Sequence, residues 1–177
     1  MGYFPLCIDL SGKTVFFVGD GAQIRDKAEK LKPFSAHMVI MSDLKEEALS
    51  QKPALVIVGD MEHKKAERIS ALCRERNIPV NVVDVPALCT FFFPAMIVNG
   101  DLTVSVSTGG SSPAAAAYLR KKLEADIPAG TDEILHWLGE NRAALREAGI
   151  LKEAVAAAFE VGRPLTREEC ERLGKNT

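Results

Sequence analysis

Residues 14–18 (TVFFV) form a short apolar run that ends directly on Gly19-Asp20-Gly21, and the segment behind that turn, 22–31, carries Ile24, Ala28 and Leu31 at helical spacing. A strand, a glycine turn and a helix in this order leave few ways to fold, because the helix must return over the sheet to which its strand belongs. The alternation continues. Runs at 37–41, 54–58 and 79–83 predict three further strands. Between them lie a short polar helix at 44–49 and a longer one at 62–76, whose Ala66, Ile69, Leu72 and Cys73 share one stripe. Apolar strands alternating with helices indicate parallel β-α-β units covered on both faces, a Rossmann-like α/β sheet.

The pattern changes after Pro86. Residues 96–98 and 102–106 predict two strands joined at Asn99-Gly100-Asp101, a turn with glycine where positive φ is often needed. Ser112-Pro113 then starts a helix that runs to about Glu124, with Ser as cap and Pro at the first helical position. Beyond Pro128 the chain reads as all helix. Thr131 is expected to cap one helix, with Ile134, Leu135, Leu138 and Leu145 on its inner face; residues 151–159 make another, and Thr166 with Glu169 forms a capping box for the last. The organisation is therefore an α/β part to residue 93, a strand-and-helix connector over 94–127, and a helical tail over 128–177.

Composition narrows the partners. The 177 residues carry 22 basic against 24 acidic side chains, so there is no basic field for nucleic acid. The longest apolar stretch, 88–98, is broken by Thr90 and Pro94 and is too short for a membrane span. The opening MGYFPLCIDL lacks the basic start and long apolar run of a secretion signal, which predicts a cytoplasmic protein. Cys7, Cys73, Cys89 and Cys170 are widely spaced without a C-x-x-C pair, and are expected to be reduced core thiols rather than metal ligands.

Gly19 and Gly21 suit a dinucleotide phosphate, since glycines admit the pyrophosphate and the helix start offers unpaired N–H groups. They suit a tight turn serving only the fold equally well. Ile24 stands where a third small residue would let the helix pack closely, and its bulk is expected to hold the helix off the sheet or change its tilt. Asp20 adds a negative charge where a phosphate would sit. Asp43, beyond the second strand, is placed to receive ribose hydroxyls or to cap the helix that follows.

Four segments, in order, resemble the precorrin-2 dehydrogenase and ferrochelatase part of siroheme synthases. Tyr3 opens YFPLCIDLSGKTVFFVGDG, and Lys27 matches the basic end of the family's G-G-G-x-V-A-x-R-K. Asn81-Val-Val-Asp84-Val-Pro86 matches N-V-V-D-A-P, and Ser107-Thr-Gly-Gly-Ser-Ser-Pro113 with Leu119-Arg-Lys-Lys-Leu-Glu124 matches S-S-G-G-x-S-P…L-R-x-x-L-E. The resemblance implies NAD-dependent oxidation of precorrin-2 to sirohydrochlorin, with ferrous iron or another divalent metal as a possible chelation substrate, and a homodimer built by segment 94–127. It makes residues 1–93 a shortened NAD-binding domain. It implies a cofactor site at Gly19, Gly21, Ala22, Gln23, Asp43, Leu44 and Asp60, and Asp84 as the catalytic acid/base group. For the anionic tetrapyrrole it implies Asn81, Thr108, Gly109, Gly110, Ser111, Ser112 and Arg120; it implies no resident metal.

The chain departs from that pattern on the nucleotide side. Asp20 and Ile24 replace the middle glycine and the later alanine, Val58-Gly-Asp60-Met-Glu62 replaces A-T-D-D, and the connection from Asp43 to Ala54 is shorter than usual. Two other functions are consistent with these departures: a chelatase-type protein without the dehydrogenase step, with His37, His63 and His136 as available metal-handling groups, and a non-catalytic tetrapyrrole-binding module.

Overall fold

A computed structural model describes residues 4–175, which divide into two units with the boundary between Phe93 and Pro94. In the first unit four parallel strands, β1 (Thr14–Val18), β2 (His37–Met41), β3 (Leu55–Val58) and β4 (Val80–Val82), lie in the order β2-β1-β3-β4. The pairing sets Val15 beside Met38 and Leu55, and Val18 beside Met41 and Val58, so all four carboxyl ends share one edge.

Both faces are filled, as the unbroken apolar runs require. Phe16, Val18, Val56, Val58, Val80 and Val82 point to one face, against Ala66, Ile69 and Cys73 of α2 (His63–Glu75). Val15, Phe17, Leu55 and Ile57 point to the other, against Ile24 and Leu31 of α1 (Ala22–Leu31) and the rings of Phe91 and Phe93. The short connection between β2 and β3 is a 3-10 turn over Glu46–Gln51, two residues later than the helix expected at 44–49. Leu44 and Leu49 anchor it in the core beside α2.

The open edge of β4 is covered by the residues that follow it. Thr90 donates its amide to the Val80 carbonyl at 2.8 Å, and the Val80 amide donates to the Thr90 hydroxyl at 2.8 Å. Ser70 of α2 donates its hydroxyl to the Leu88 carbonyl at 2.7 Å. These bonds occupy groups that an edge strand would otherwise offer to another chain.

In the second unit β5 (Ala95–Asn99) and β6 (Leu102–Val106) form an antiparallel hairpin, with Gly100 at φ +55° in its tip. Helix α3 (Pro113–Asp126) packs on the hairpin, and the Ser112 hydroxyl caps it by accepting from the Ala115 amide at 3.1 Å. Helices α4 (Thr131–Glu147), α5 (Leu151–Val161) and α6 (Arg167–Lys175) enclose Ile134, Leu145, Ile150, Ala154, Ala158 and Leu165. The capping box forms: the Thr166 amide donates to Glu169 at 2.7 Å and the Glu169 amide to the Thr166 hydroxyl at 3.3 Å.

Two expectations need correction. Gly130, not Thr131, is the cap of α4; Thr131 is its first residue and donates its hydroxyl back to the Pro128 carbonyl at 2.7 Å. Cys7 is exposed, so only Cys73, Cys89 and Cys170 lie in or against the packed interior, and all four are free thiols. Burial pushes the Cys73 thiol up to about 11, which keeps it protonated and inert. Among the described residues no helix is long and apolar enough to cross a membrane.

Candidate active site

The glycine turn sits at the carboxyl edge of the sheet, where open α/β folds hold ligands. Gly19 turns the chain out of β1 at φ +110° and donates its amide to Met41 of β2 at 2.8 Å. Gly21 is the extended residue before α1, with no side chain capping the helix and no atom within 4 Å of where its own Cβ would stand. The helix start therefore presents the first-turn amides of Ala22 and Gln23 beside an open face, at the positive end of the helix dipole. Arg25 donates to the Asp20 carbonyl at 2.9 Å, which brings a guanidinium to the turn that carries the acidic residue.

The bulk of Ile24 is taken up in the core between α1 and the sheet. Ile24 is 1% exposed and packs over Gly59, the residue that follows β3. A Cβ at Gly59 would stand 2.7 Å from Ile24 Cγ1 and 3.2 Å from its Cδ1. The space that a small third residue would have left at position 24 is left at position 59 instead. Sequence inspection around the glycine turn misses Gly59, because its importance arises only where β3 meets α1.

Asp43 follows β2, and its carboxylate is held from the α2 side. Its Oδ1 accepts from the Leu44 amide at 2.9 Å and from Arg68 of α2 at 3.1 Å. It does not cap the 3-10 turn, whose preceding residue is Lys45. Leu44 is completely buried, so its side chain serves the core, while its carbonyl accepts from Arg68 at 3.3 Å. Asp60 is exposed just beyond Gly59.

Asp84 lies two residues after β4, exposed and at φ +60°, a left-handed conformation that non-glycine residues hold at a cost. Gln23, in the first turn of α1, donates its side-chain amide to Asp84 Oδ2 at 2.8 Å. One turn on, the Lys27 ammonium stands 4.8 Å from the centre of the Phe93 ring. Partial burial lowers the Lys27 pKa, helped by Lys30, while the charges of Asp26 and Asp84 oppose that shift. A carboxylate, an amide donor and a cation thus meet at one edge of the sheet. Asn81 sits differently: it is 7% exposed and donates its amide to the Phe91 carbonyl at 3.0 Å, which secures the segment carrying Phe91 and Phe93.

In the second unit the loop before α3 is tied within itself: the Ser111 amide donates to the Thr108 carbonyl at 3.1 Å and the Gly109 amide to the Ser107 hydroxyl at 3.3 Å. The Thr108 hydroxyl donates to the Ser112 carbonyl and accepts from the Ser112 amide, both at 3.1 Å. Gly109 and Gly110 take φ values of +62° and +88°, and with Ser111 they are exposed. Arg120, on α3, is paired with Glu124 at 2.7 Å. Among the described residues no group of three histidine, cysteine or acidic side chains is close enough to hold a metal ion.

Comparison with known proteins agrees with the resemblance drawn from the sequence. Residues 6–95 match a family described as putative NAD(P)-binding, and residues 99–126 match one described as sirohaem biosynthesis protein central. A siroheme synthase of Nitrosomonas eutropha is 30% identical over 168 residues, covering 83% of this chain and 35% of that protein. One of Thioalkalivibrio sulfidiphilus is 36% identical over 149 residues, covering 73% of this chain and 30% of that protein. The chain thus spans about a third of the length of these relatives. Among solved structures, SirC, a precorrin-2 dehydrogenase, shares the fold with a TM-score of 0.64 at 14% identity, over 98% of each chain.

Proposed function

Because the chain belongs to the putative NAD(P)-binding family, we propose that its first unit holds NAD and that the protein oxidises precorrin-2 to sirohydrochlorin in siroheme biosynthesis. The uncapped start of α1 carries this reading: Gly21 leaves room, Ala22 and Gln23 offer amides, and Arg25 supplies positive charge for a pyrophosphate. Bound NAD would supply the hydride acceptor.

The rest is work for the chain's own side chains. Asp84 is the group that takes the proton released as the reduced macrocycle loses hydride. It stands at the carboxyl edge of the sheet, the same edge as the glycine turn. The tetrapyrrole is a polycarboxylate, and the loop over 108–112 is proposed to receive it through the Gly110 amide, together with Arg120, since the Gly109 and Ser111 amides are bonded within the loop. Asn81 contributes by holding the Phe91 segment in place. A homodimer is proposed through the outer face of α3, where Tyr118, Leu119 and Leu123 are exposed and apolar. A cytoplasmic location follows from the same function.

Purified protein given precorrin-2 and NAD is expected to form NADH and sirohydrochlorin, and Asp84→Ala to abolish both. Metal insertion into sirohydrochlorin without NADH formation or NAD binding would replace the dehydrogenase with a chelatase, and tetrapyrrole binding without turnover would leave a binding module. Sedimentation as a monomer at micromolar concentration would refute the dimer.

A further inference from the structure

We propose that Gln23 is a positioning residue that holds the Asp84 carboxylate and ties it to the helix start proposed for the dinucleotide. The inference rests on the role given to Asp84 above. Gln23 and Asp84 are 61 residues apart, yet the Gln23 amide lies 2.8 Å from Asp84 Oδ2. Among the described residues no other side chain forms a hydrogen bond with that carboxylate. Without this bond Asp84 would be an exposed side chain on a strained turn, free to sample its rotamers.

The chemistry sets the direction of the contact. A carboxylate only accepts, so the Gln23 carboxamide must present its NH2 group. A donor to a charged acceptor makes a stronger bond than a neutral pair. Lys27, four residues later on the same face of α1, adds a cation pinned over Phe93. The two ends of Gln23 then serve two tasks: its backbone amide belongs to the uncapped first turn, and its side chain aims the proton acceptor. The family segment G-G-G-x-V-A-x-R-K has valine at this position, which cannot donate.

The test uses the full chain with Gln23→Met, which keeps the length and removes the donor, and Gln23→Glu, which sets a carboxylate against Asp84. For Gln23→Met, kcat for precorrin-2 oxidation is expected to fall about 10- to 100-fold, as for a reacting group misplaced by about 1 Å. Gln23→Glu should fall further, through repulsion of the pyrophosphate as well, so the NAD readouts are taken on Gln23→Met, where the KM for NAD and the thermal shift produced by NAD stay at wild-type values. Independently of turnover, the side-chain NH2 resonances of Gln23 should be shifted and slow to exchange in the wild type. In Asp84→Ala they should move to free-amide values.

Wild-type kcat in Gln23→Met, beside an inactive Asp84→Asn, would overturn the positioning role and leave Asp84 in place. Full activity in Asp84→Asn would remove the acid/base assignment and the positioning role together. A loss of kcat matched by a lost NAD thermal shift would make Gln23 a nucleotide ligand instead. NH2 resonances indifferent to Asp84→Ala would overturn the contact itself.

Discussion

Gly59→Ala is a one-carbon change with a large expected effect. Its Cβ would stand 2.7 Å from Ile24 Cγ1, whereas carbon atoms in packed proteins sit about 3.5–4.0 Å apart. Something must therefore move by about 1 Å. Ile24 is 1% exposed and β-branched, so its Cγ1 has little freedom to swing away, and the Val18 carbonyl lies 3.5 Å from the new atom on another side. Overpacking of this kind costs about 1–3 kcal/mol. Ile24→Ala alone opens a cavity under α1 and costs about 2–5 kcal/mol.

In the double variant the new methyl group occupies space that Ile24 has vacated. There Gly59→Ala should be neutral or stabilising by about 0.4–1 kcal/mol, through the less flexible unfolded chain. The two effects thus couple by about 2 kcal/mol, well above the 0.3–0.5 kcal/mol scatter of independent sites. The single tryptophan, Trp137, lies in the second unit and does not report on this contact. Hydrogen exchange of peptides spanning β1 and β3 does. Additive effects within about 0.5 kcal/mol would refute the exchange of volume between positions 24 and 59.

Two further predictions concern single side chains. Hydrogen bonds from Arg163, and then from the Thr166 amide, hold the Glu169 carboxyl at about 2 instead of its ordinary 4.5. A lowered carboxylate pKa adds stability that is complete above pH 4.5 and is lost as pH falls toward 2. Thermal melting followed by Trp137 should lose stability across that window, and Glu169→Gln should flatten the dependence; an unchanged profile would refute the assignment. Asn81→Ala removes the donor to the Phe91 carbonyl and should cost about 1–3 kcal/mol in urea unfolding, with faster exchange in residues 89–93. A rise in substrate KM without loss of stability would make Asn81 a direct ligand instead.

Strands and helices were legible in the sequence because each carries its own period. The runs at 14–18 and 37–41 coincide with β1 and β2, and 22–31 with α1, since buried parallel strands must be apolar and α1 must be amphipathic. The residues that complete the site were less visible. Gln23 bonds to Asp84 across 61 residues, and Ile24 meets Gly59 across a crossover, so neither contact has a local signature. Leu44 looks like a neighbour of the ribose when counted from Asp43, yet the short crossover turns it into the core. Thr131 has the chemistry of a cap, but the preceding turn places Gly130 in that position and leaves Thr131 inside the helix.

The departures from the family pattern look like decay when each is taken alone, and the structure gives them partners. Ile24 is too large for its position, and Gly59, itself a replacement within A-T-D-D, is the residue that makes room for it. Asp20 brings the wrong charge to the turn, and Arg25 binds that same turn with a guanidinium. The short connection between β2 and β3 lacks an α-helix, and Leu44 just before the 3-10 turn and Leu49 within it fill the core. Matched substitutions beside the room at Gly21 support the nucleotide site proposed above.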